Sequence, residues 1–450
     1  MMAFFSRYAE NYRRIYHLGI PILIGQLGMI VVGFADNIMV GRYSTEALAS
    51  ASFVNNIFNV AIFACIGFTY GLTPLVGALF AQGRYRKIGE TLRNGLIINA
   101  LFALMVTAAM GLIYVNLDRM GQPEELLGLI RPYFLIYLVG LVPVAVFNVF
   151  AQWAFAINNP RLPMWIILVG NAINVIGNWL LIYGNCGFPE LGLVGAGIST
   201  LVSRVFCPVA IIAIFLSVRG YREYSRGFLS GRMNGQDGRL INRMSWPVAL
   251  QMTLESGSFT VAAVMAGWLG AIELASFQVM VIVGTLGFCV YYSVAAAVSI
   301  VVSNANGLGD RAGMRNAAFA GYHILLCLAT TASLVFGFFG RYVIGAFTED
   351  PLVVNMSISL IVPLILYQFC DATQINFANA LRGTSNVMPM LWIAFVAYVI
   401  IGVPATYVLG FPCGLGIYGI FLSFSVSLSV AAGLFVFFFL RTTVASCHGR

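Results

Sequence analysis

The chain has 450 residues, of which 60% are hydrophobic and only 9% are charged, whereas a water-soluble domain carries about 25% charged residues. This composition excludes a soluble enzyme or a soluble binding domain and indicates a surface that mostly faces lipid. The net charge of +8 would suit a nucleic-acid-binding protein, but the basic residues lie in short segments between long apolar ones.

Long apolar segments follow one another along the whole chain. Each is close to the ~20 residues that cross a bilayer as a helix, and none alternates in the ~10-residue strands of a membrane β-barrel. The sequence therefore predicts an all-α polytopic membrane protein with twelve transmembrane helices. The predicted spans are 17–39, 52–74, 95–116, 132–155, 163–184, 194–217, 244–266, 277–301, 317–339, 353–379, 389–410 and 416–440.

The least hydrophobic stretch lies in the middle of the chain, at residues 219–243. It contains six arginines and two acidic residues, its glycines interrupt it, and no apolar periodicity runs through it. We expect a basic cytoplasmic linker here. It would join an N-terminal lobe of six spans, residues 1–218, to a C-terminal lobe of six spans, residues 244–450.

The placement of lysine and arginine predicts the orientation. Most of the 24 basic residues fall in the segments that share the side of the N-terminus, and cytoplasmic loops are the ones that carry such an excess. We therefore expect both termini in the cytoplasm. The same distribution accounts for the positive net charge without a nucleic-acid partner.

The second half of the chain repeats the first in a nearly constant register. Pro21 corresponds to Pro247 and Gly83 to Gly309, and the register slips only before the sixth span of each half. Further corresponding pairs are Gly41 and Gly267, Ser50 and Ser276, and Pro163 and Pro389. This pattern predicts two pseudo-symmetric six-helix bundles, a type of fold whose substrate sites lie near the middle of the membrane.

Three acidic residues fall inside predicted spans: Asp36, Glu255 and Asp371. An ionised group at the bilayer centre costs about 2.5–3.5 kcal/mol on insertion scales, so such a residue needs a partner or a function. An ionised carboxylate binds a cation, and a protonated one carries a proton. Low-dielectric surroundings disfavour the ionised form of a carboxyl group, so both its ionised and its protonated form become accessible. Both cation binding and proton transfer are therefore feasible.

Polar residues at helical spacing accompany these acids, and such stripes must face protein or water. The stripes are Gln251, Glu255 and Ser258; Tyr367, Asp371 and Gln374; Asn171, Asn174 and Asn178; and Ser199, Thr200 and Ser203. For the asparagines, hydrogen bonds that only hold helices together remain an equal alternative.

One cation, Arg204, lies within the sixth span. We expect it near Asp36 and the asparagines of the fifth span, where it either pairs with Asp36 or modulates it. The alternative is a side chain on the lipid face that extends toward the interface.

Motifs for ATP hydrolysis and metallohydrolase chemistry are absent from the sequence. The single lysine, Lys87, is not part of a phosphate-binding GxxxxGK[ST] loop, and the three histidines form no HExxH pair. We therefore expect a secondary active transporter that is not an enzyme and has no cofactor.

Short motifs stand in a fixed order through the chain. They are GFADNIMVG at 33–41, PLV at 74–76, AQG at 81–83, NW at 178–179, YG at 183–184, LE at 254–255, YQ at 367–368 and LRG at 381–383. Together they resemble the multidrug and toxic compound extrusion (MATE) transporters, and within that family the NorM-like bacterial branch.

The resemblance implies two six-helix lobes around a central cleft in a bacterial inner membrane. It implies antiport by alternating access, in which Na⁺ or H⁺ moves in and hydrophobic or cationic drugs move out. The implied cation site of the C-terminal lobe consists of Glu255, Asp371 and Tyr367. The implied cation or proton site of the N-terminal lobe consists of Asp36, Asn174, Asn178 and Thr200. Arg204 departs from the family's pattern and is the expected modulator of that second site.

The main alternative is a lipid-linked glycan flippase of the same superfamily. Such a protein should have a basic cavity for pyrophosphate, whereas three acids and one base lie within the spans here. A membrane enzyme acting on lipid and a structural membrane protein are further alternatives. The expected partners are small-molecule drugs or organic cations and the bilayer, without nucleic acid, and the expected state is a monomer.

Overall fold

Helices account for nearly all of the chain. The computed structural model describes residues 2–120, 123–232, 234–348 and 350–444, and no strand occurs in these ranges. The α-helices are α1 Met2–Tyr43, α2 Thr45–Thr69, α3 Leu72–Ala81, α4 Tyr85–Val115, α5 Glu124–Val139, α6 Leu141–Ala156, α7 Arg161–Tyr183, α8 Gly192–Ser217, α9 Arg222–Ser230, α10 Gly235–Leu269, α11 Ala271–Gly307, α12 Arg311–Gly345, α13 Pro351–Ser359, α14 Ile361–Gly383, α15 Met388–Ala394, α16 Val403–Gly410 and α17 Gly416–Val444. A π-helical segment, Phe395–Gly402, joins α15 to α16.

The helices are long and apolar enough to cross a membrane at eleven places in the described ranges, and at twelve if the bent pair α13–α14 counts as one span. Each of the twelve predicted segments falls on one of these places. The prediction of an all-α polytopic membrane protein is confirmed, and the chain is a multi-pass membrane protein.

Three spans consist of two helices. α2 and α3 are separated at Gly71, α5 and α6 at Gly140, and α13 and α14 at Leu360, where the axes differ by 51°. At Gly71 the break allows a close approach, because a Cβ atom there would lie 2.7 Å from the backbone nitrogen of Ser245. Mean hydropathy over a window does not register such breaks, so the sequence predicts one continuous span at each place.

Contacts divide the chain into two compact units. We call Ile24–Ala249 the N-unit, and Met1–Leu23 together with Leu250–Arg450 the C-unit. Both divisions fall within a helix, α1 or α10, just beyond Pro21 or Pro247. The sequence instead predicts lobe boundaries at residues 218 and 243. The contacts group residues 1–23 with the C-unit and residues 219–249 with the N-unit, whereas the prediction assigns residues 1–23 to the N-terminal lobe and residues 244–249 to the C-terminal lobe.

The short helix α9 lies within the predicted linker and packs on α4 of the N-unit. The crossing point is a pair of glycines, Gly89 and Gly227, where a Cβ on either residue would overlap a backbone oxygen of the other helix. Arg93 of α4 donates a hydrogen bond of 2.6 Å to the carbonyl oxygen of Gly231. The linker is therefore a packed element of the N-unit and not an extended tether.

The first turns of α1 belong to the C-unit, where they contact α12. The hydroxyl of Tyr12 lies 2.9 Å from Nδ1 of His323, and the ring of Tyr8 meets the His323 ring edge-on at 5.2 Å. His323 thus has aromatic partners on a neighbouring helix.

Candidate functional site

Three helices of the N-unit, α1, α7 and α8, bring four predicted site residues into one hydrogen-bonded chain. The side-chain amide of Asn178 donates to Oδ1 of Asp36 and also lies 3.3 Å from Oδ1 of Asn174. Nδ2 of Asn174 in turn donates to Oγ1 of Thr200 at 3.1 Å. Asn174 and Asn178 are buried, while Asp36 and Thr200 are half-buried, so the chain leads from the interior toward accessible space.

Small residues set the register between α7 and α8. The hydroxyl of Ser199 donates to the carbonyl oxygen of Asn174 at 2.6 Å, and that of Ser203 donates to the carbonyl oxygen of Gly170 at 2.8 Å. At Gly177, a Cβ atom would overlap the Ser199 side chain. This close packing, typical of membrane helices, brings Thr200 within reach of Asn174.

Arg204 lies close to this chain without joining it. Its Cζ atom is 4.4 Å from the centroid of the Tyr137 ring, a cation–π distance, and its buried Nη1 has no hydrogen-bond partner in the described part of the chain. It interacts electrostatically with Asp36, but the two form no ion pair within 4.0 Å. Of the two predicted arrangements, direct pairing is not seen.

The C-unit brings together its three predicted residues from α10 and α14. Glu255 and Asp371 are close enough to interact electrostatically, and both interact with the hydroxyl of Tyr367. Asp371 is 2% exposed and Tyr367 is 7% exposed, whereas Glu255 is half-buried. The aromatic rings of Phe259 and Phe424 stack at 4.4 Å on one side of Tyr367.

Neutral hydrogen-bonding groups surround Glu255. Nε2 of Gln251 donates to Oε2 of Glu255 at 2.9 Å, and the hydroxyl of Tyr398 hydrogen-bonds to the same carboxylate. Gln374 holds Tyr398 in place with a hydrogen bond of 3.0 Å to its hydroxyl. By contrast, the buried Oδ2 of Asp371 has no hydrogen-bond partner in the described residues.

No lysine or arginine in the described ranges compensates this pair of carboxylates. Two neighbouring carboxylates in low-dielectric surroundings do not both remain ionised without a counter-charge. A bound monovalent cation or a proton supplies that charge, and the unpartnered Oδ2 of Asp371 is an acceptor suited to either. This arrangement is therefore able to bind a cation in exchange for a proton or water.

These residues do not form a multi-ligand metal centre of His, Cys, Asp and Glu side chains. In the described part of the chain no group of three or more His, Cys, Asp or Glu side chains lies together in a way that holds a metal ion. The donors at both sites are carboxylate, amide and hydroxyl oxygens, the hard ligands that suit a hard cation.

Two members of the C-unit site were missed by the sequence reasoning, Tyr398 and Tyr291. Tyr398 lies in the π-helical segment and contacts Glu255, while the buried hydroxyl of Tyr291 interacts electrostatically with Asp371. Neither tyrosine carries a charge that would mark it within an apolar span, and the repeat places Tyr398 opposite Ala172, so the sequence gives no signal for either residue.

Arg382 lies in a different environment from the one predicted. The predicted spans 353–379 and 389–410 leave it between spans, whereas it stands in the last turn of α14, is 6% exposed and hydrogen-bonds to Asn379. The helix continues one turn further than the predicted span, and this extension carries the arginine into the packed part of the C-unit.

One protein-family model, MatE, matches the chain in two segments, residues 21–180 and 247–408. The matches begin at Pro21 and Pro247, the prolines that the repeat within the sequence aligns, so the predicted internal repeat is confirmed.

Similar proteins cover nearly all of the chain. "Probable multidrug resistance protein NorM" of Bradyrhizobium diazoefficiens is 28% identical over 432 residues, which are 95% of this chain and 93% of that protein. A solved structure described as "MATE in the bent conformation" has a TM-score of 0.89 at 19% identity and covers 98% of this chain and 97% of that one.

A second solved structure is a transporter of the MOP superfamily from Pyrococcus furiosus. Its TM-score is 0.87 at 20% identity, over 97% of this chain and 96% of that one, and its description reports a "reverse polarity of binding pocket". At these identities the likeness establishes the fold.

Proposed function

The chain belongs to the MatE family of transporters, and from this premise we propose that it is a cation-coupled multidrug efflux antiporter. It exports hydrophobic or cationic compounds by alternating access in exchange for Na⁺ or H⁺. The name of its Bradyrhizobium relative supports drug export, and the three intramembrane carboxylates support cation coupling. We place it in a bacterial inner membrane as a monomer with both termini in the cytoplasm.

The observation that carries the proposal is the uncompensated carboxylate pair of the C-unit. Glu255 and Asp371 come from different helices, α10 and α14, and their neighbours are neutral tyrosine and glutamine side chains. Binding of one cation or proton compensates the pair, whereas its loss without replacement would leave two neighbouring negative charges in low-dielectric surroundings, which is strongly unfavourable. The free energy of this site therefore depends strongly on the coupling ion.

Coupling requires that ion and drug favour different states of the transporter, because a ligand with equal affinity for both states shifts nothing. A cation drawn between Glu255 and Asp371 pulls α10 and α14 together, and its release relaxes them. We infer that the ion-bound state releases the drug and the ion-free state binds it.

The N-unit site has a different charge balance and so a different role. Asp36 has an amide donor, Asn178, and a nearby cation, Arg204, whereas the C-unit pair has no cation. Arg204 lowers the tendency of Asp36 to attract a second positive charge. We infer that Asp36 exchanges a proton or binds a cation more weakly than the C-unit pair.

Ethidium efflux from cells that express the chain tests the proposal. One arm applies a sodium jump at fixed pH, and the other applies an acid jump without sodium. Sodium-triggered efflux that is lost in Glu255→Gln and Asp371→Asn supports sodium coupling at the C-unit. Acid-triggered efflux that is lost instead in Asp36→Asn assigns the coupling to protons at the N-unit.

Asp118→Asn is the matched control, because Asp118 is an exposed acid whose ion pair with Arg131 lies at the surface. Its efflux should equal that of the parent. Absence of efflux under both jumps contradicts drug export, and the lipid-linked glycan flippase is then the function to test.

A further inference from the structure

A groove of about 480 Å³ lies on the N-unit between the first half of α7 and the second half of α8, whereas the candidate ion-site residues of these helices lie in their other halves. Apolar side chains line most of its length, among them Val169, Phe206 and Ile214. One end differs, because Asn159, Arg161 and Trp165 line it. The groove is thus amphipathic along its axis.

The polar end combines an exposed cation with an exposed indole. Arg161 is the first residue of α7, and Trp165 follows four positions later, on the same face of the helix, with 61% of its surface exposed. Tryptophan in this position is typical of the boundary between hydrocarbon and headgroups. From Arg161 to Val169 the helix rises about 12 Å, so the apolar part extends well below that boundary.

The arginine-rich residues 219–243, predicted as the basic linker, begin at the same end of the groove. Nδ2 of Asn159 donates a hydrogen bond of 2.7 Å to the hydroxyl of Tyr221, which stands between Arg219 and Arg222 in the chain. Both of these arginines and Arg161 are exposed. In the described ranges no acidic side chain forms an ion pair with any of the three.

We propose that this groove binds an anionic phospholipid. One acyl chain lies along Val169, Phe206 and Ile214, and the headgroup phosphate is bound by Arg161, with Arg219 and Arg222 adding positive charge. Basic pockets between membrane helices at the cytoplasmic side attract anionic headgroups, at about 1 kcal/mol or roughly fivefold in affinity for each arginine near the surface. A zwitterionic lipid has the same acyl chains without the net charge, so it binds the groove more weakly.

Quenching of tryptophan fluorescence by brominated lipid tests this proposal. The full-length protein is reconstituted in phosphatidylcholine vesicles with a minor fraction of phosphatidylglycerol, and either lipid is brominated at the same mole fraction. The difference between the parent and Trp165→Phe isolates the signal of Trp165. We expect brominated phosphatidylglycerol to quench this signal at least about fivefold more effectively than brominated phosphatidylcholine, since Arg161 alone contributes that factor.

Arg161→Gln should remove most of that preference, because the headgroup loses its principal cation. Arg341→Gln is the control. Arg341 is an exposed arginine near the C-terminal end of α12, outside the groove, so this substitution should leave the preference unchanged. Trp392, exposed on α15 of the C-unit, is the internal reference, and its quenching should not respond to Arg161→Gln.

Equal quenching of Trp165 by the two lipids overturns the proposal, as does a preference that survives Arg161→Gln. Loss of the preference when soluble glycerol phosphate is added also overturns it, because the groove would then recognise a free phosphate and not a lipid. An unchanged melting temperature of Arg161→Gln excludes loss of fold as the cause of any effect.

Discussion

At the scale of the residue, the uncompensated charge of Asp371 decides what its replacement does. Asp371→Asn keeps the shape of the side chain and removes the buried member of two neighbouring carboxyl groups. A buried charge partner is worth about 2–5 kcal/mol to the ion that it binds, so we expect ion-coupled efflux to fall by more than about tenfold. The measurement is ethidium efflux normalised to the amount of protein in the membrane.

The same substitution should not destabilise the fold, because it relieves repulsion between carboxylates where no cation compensates them. We expect the melting temperature of the purified variant without the coupling ion to equal or exceed that of the parent. Parent-level efflux by Asp371→Asn would remove this carboxylate from the mechanism.

We expect Arg204 to modulate transport through its charge and not through a direct bond. Its guanidinium interacts with Asp36 electrostatically and packs on the ring of Tyr137. In Arg204→Gln, Asp36 loses the nearby positive charge and attracts an ion more strongly, so the cation concentration for half-maximal efflux should drop by about fivefold or more. Ion titrations of efflux measure this shift.

The conservative variant separates charge from packing at this position. Arg204→Lys keeps the positive charge and loses the planar stacking on Tyr137, so it should retain most of the parent's ion dependence. If Arg204→Gln and the parent have the same half-maximal cation concentration, Arg204 does not modulate the site.

Sequence reasoning identifies the charged members of both sites and misses the neutral ones. Asp36, Glu255 and Asp371 stand out because a carboxylate in a membrane span is costly, whatever its neighbours. Tyr398 and Tyr291 carry no such signal among the 20 tyrosines of the chain, since an aromatic residue in a span is ordinary. Their role depends on which helices meet, and a single sequence does not contain that information.

At the scale of the element, the crossing of α4 and α9 depends on the absence of side chains. A methyl group on Gly227 would overlap the backbone oxygen of Arg86, so Gly227→Ala must separate the two helices. Overpacking of this kind costs about 1–3 kcal/mol. We expect a lower melting temperature and faster proteolysis of residues 219–243, with the identity of the coupling ion unchanged.

Gly111→Ala in α4 is the matched control, because nothing lies within 4 Å of a Cβ atom at that position. Alanine is the better helix former, so this variant should be as stable as the parent or slightly more stable. Equal protease resistance of Gly227→Ala and Gly111→Ala would show that α9 does not need its close contact with α4.

Hydropathy predicts where spans lie, but not how they are built. All twelve segments match helices, because the apolar length of a span is a local property of the sequence. The break at Leu360, the π-helical segment Phe395–Gly402 and the helix α9 depend on packing between elements. The arginines of α9 conceal its helical character, because they suggest a solvated segment while Tyr224 and Gly227 pack inward.

At the scale of the whole molecule, a duplicated fold holds two different sites. The repeat places Ala262 opposite Asp36 and Met29 opposite Glu255, so neither carboxylate has a counterpart. Both acids nevertheless lie on the first helix of their repeat, α1 or α10, beyond its proline. The two acids therefore lie on equivalent helices but about two helical turns apart, and the surrounding side chains have diverged: Arg204 lies near Asp36, whereas in the described residues no lysine or arginine interacts with Glu255.

The distribution of basic residues predicts the orientation, and native cysteines offer a direct test of it. Cys186 and Cys413 are exposed and follow α7 and α16, and the predicted topology places both in outer loops, so they should face the outside of the cell. Cys327, also exposed, lies within the membrane-spanning helix α12, where a water-soluble maleimide should not reach it. Cys447 lies outside the described residues and is replaced by serine in the starting variant.

A membrane-impermeant maleimide applied to intact cells should label this starting variant, and replacement of both Cys186 and Cys413 by serine should abolish the labelling. In that double variant, a cysteine introduced at the exposed Ser230 of α9 should react only after the membrane is permeabilised. Labelling of Ser230→Cys from outside would invert the topology and place the basic segment on the external face. The rule that cytoplasmic loops carry the arginines would then fail for this chain.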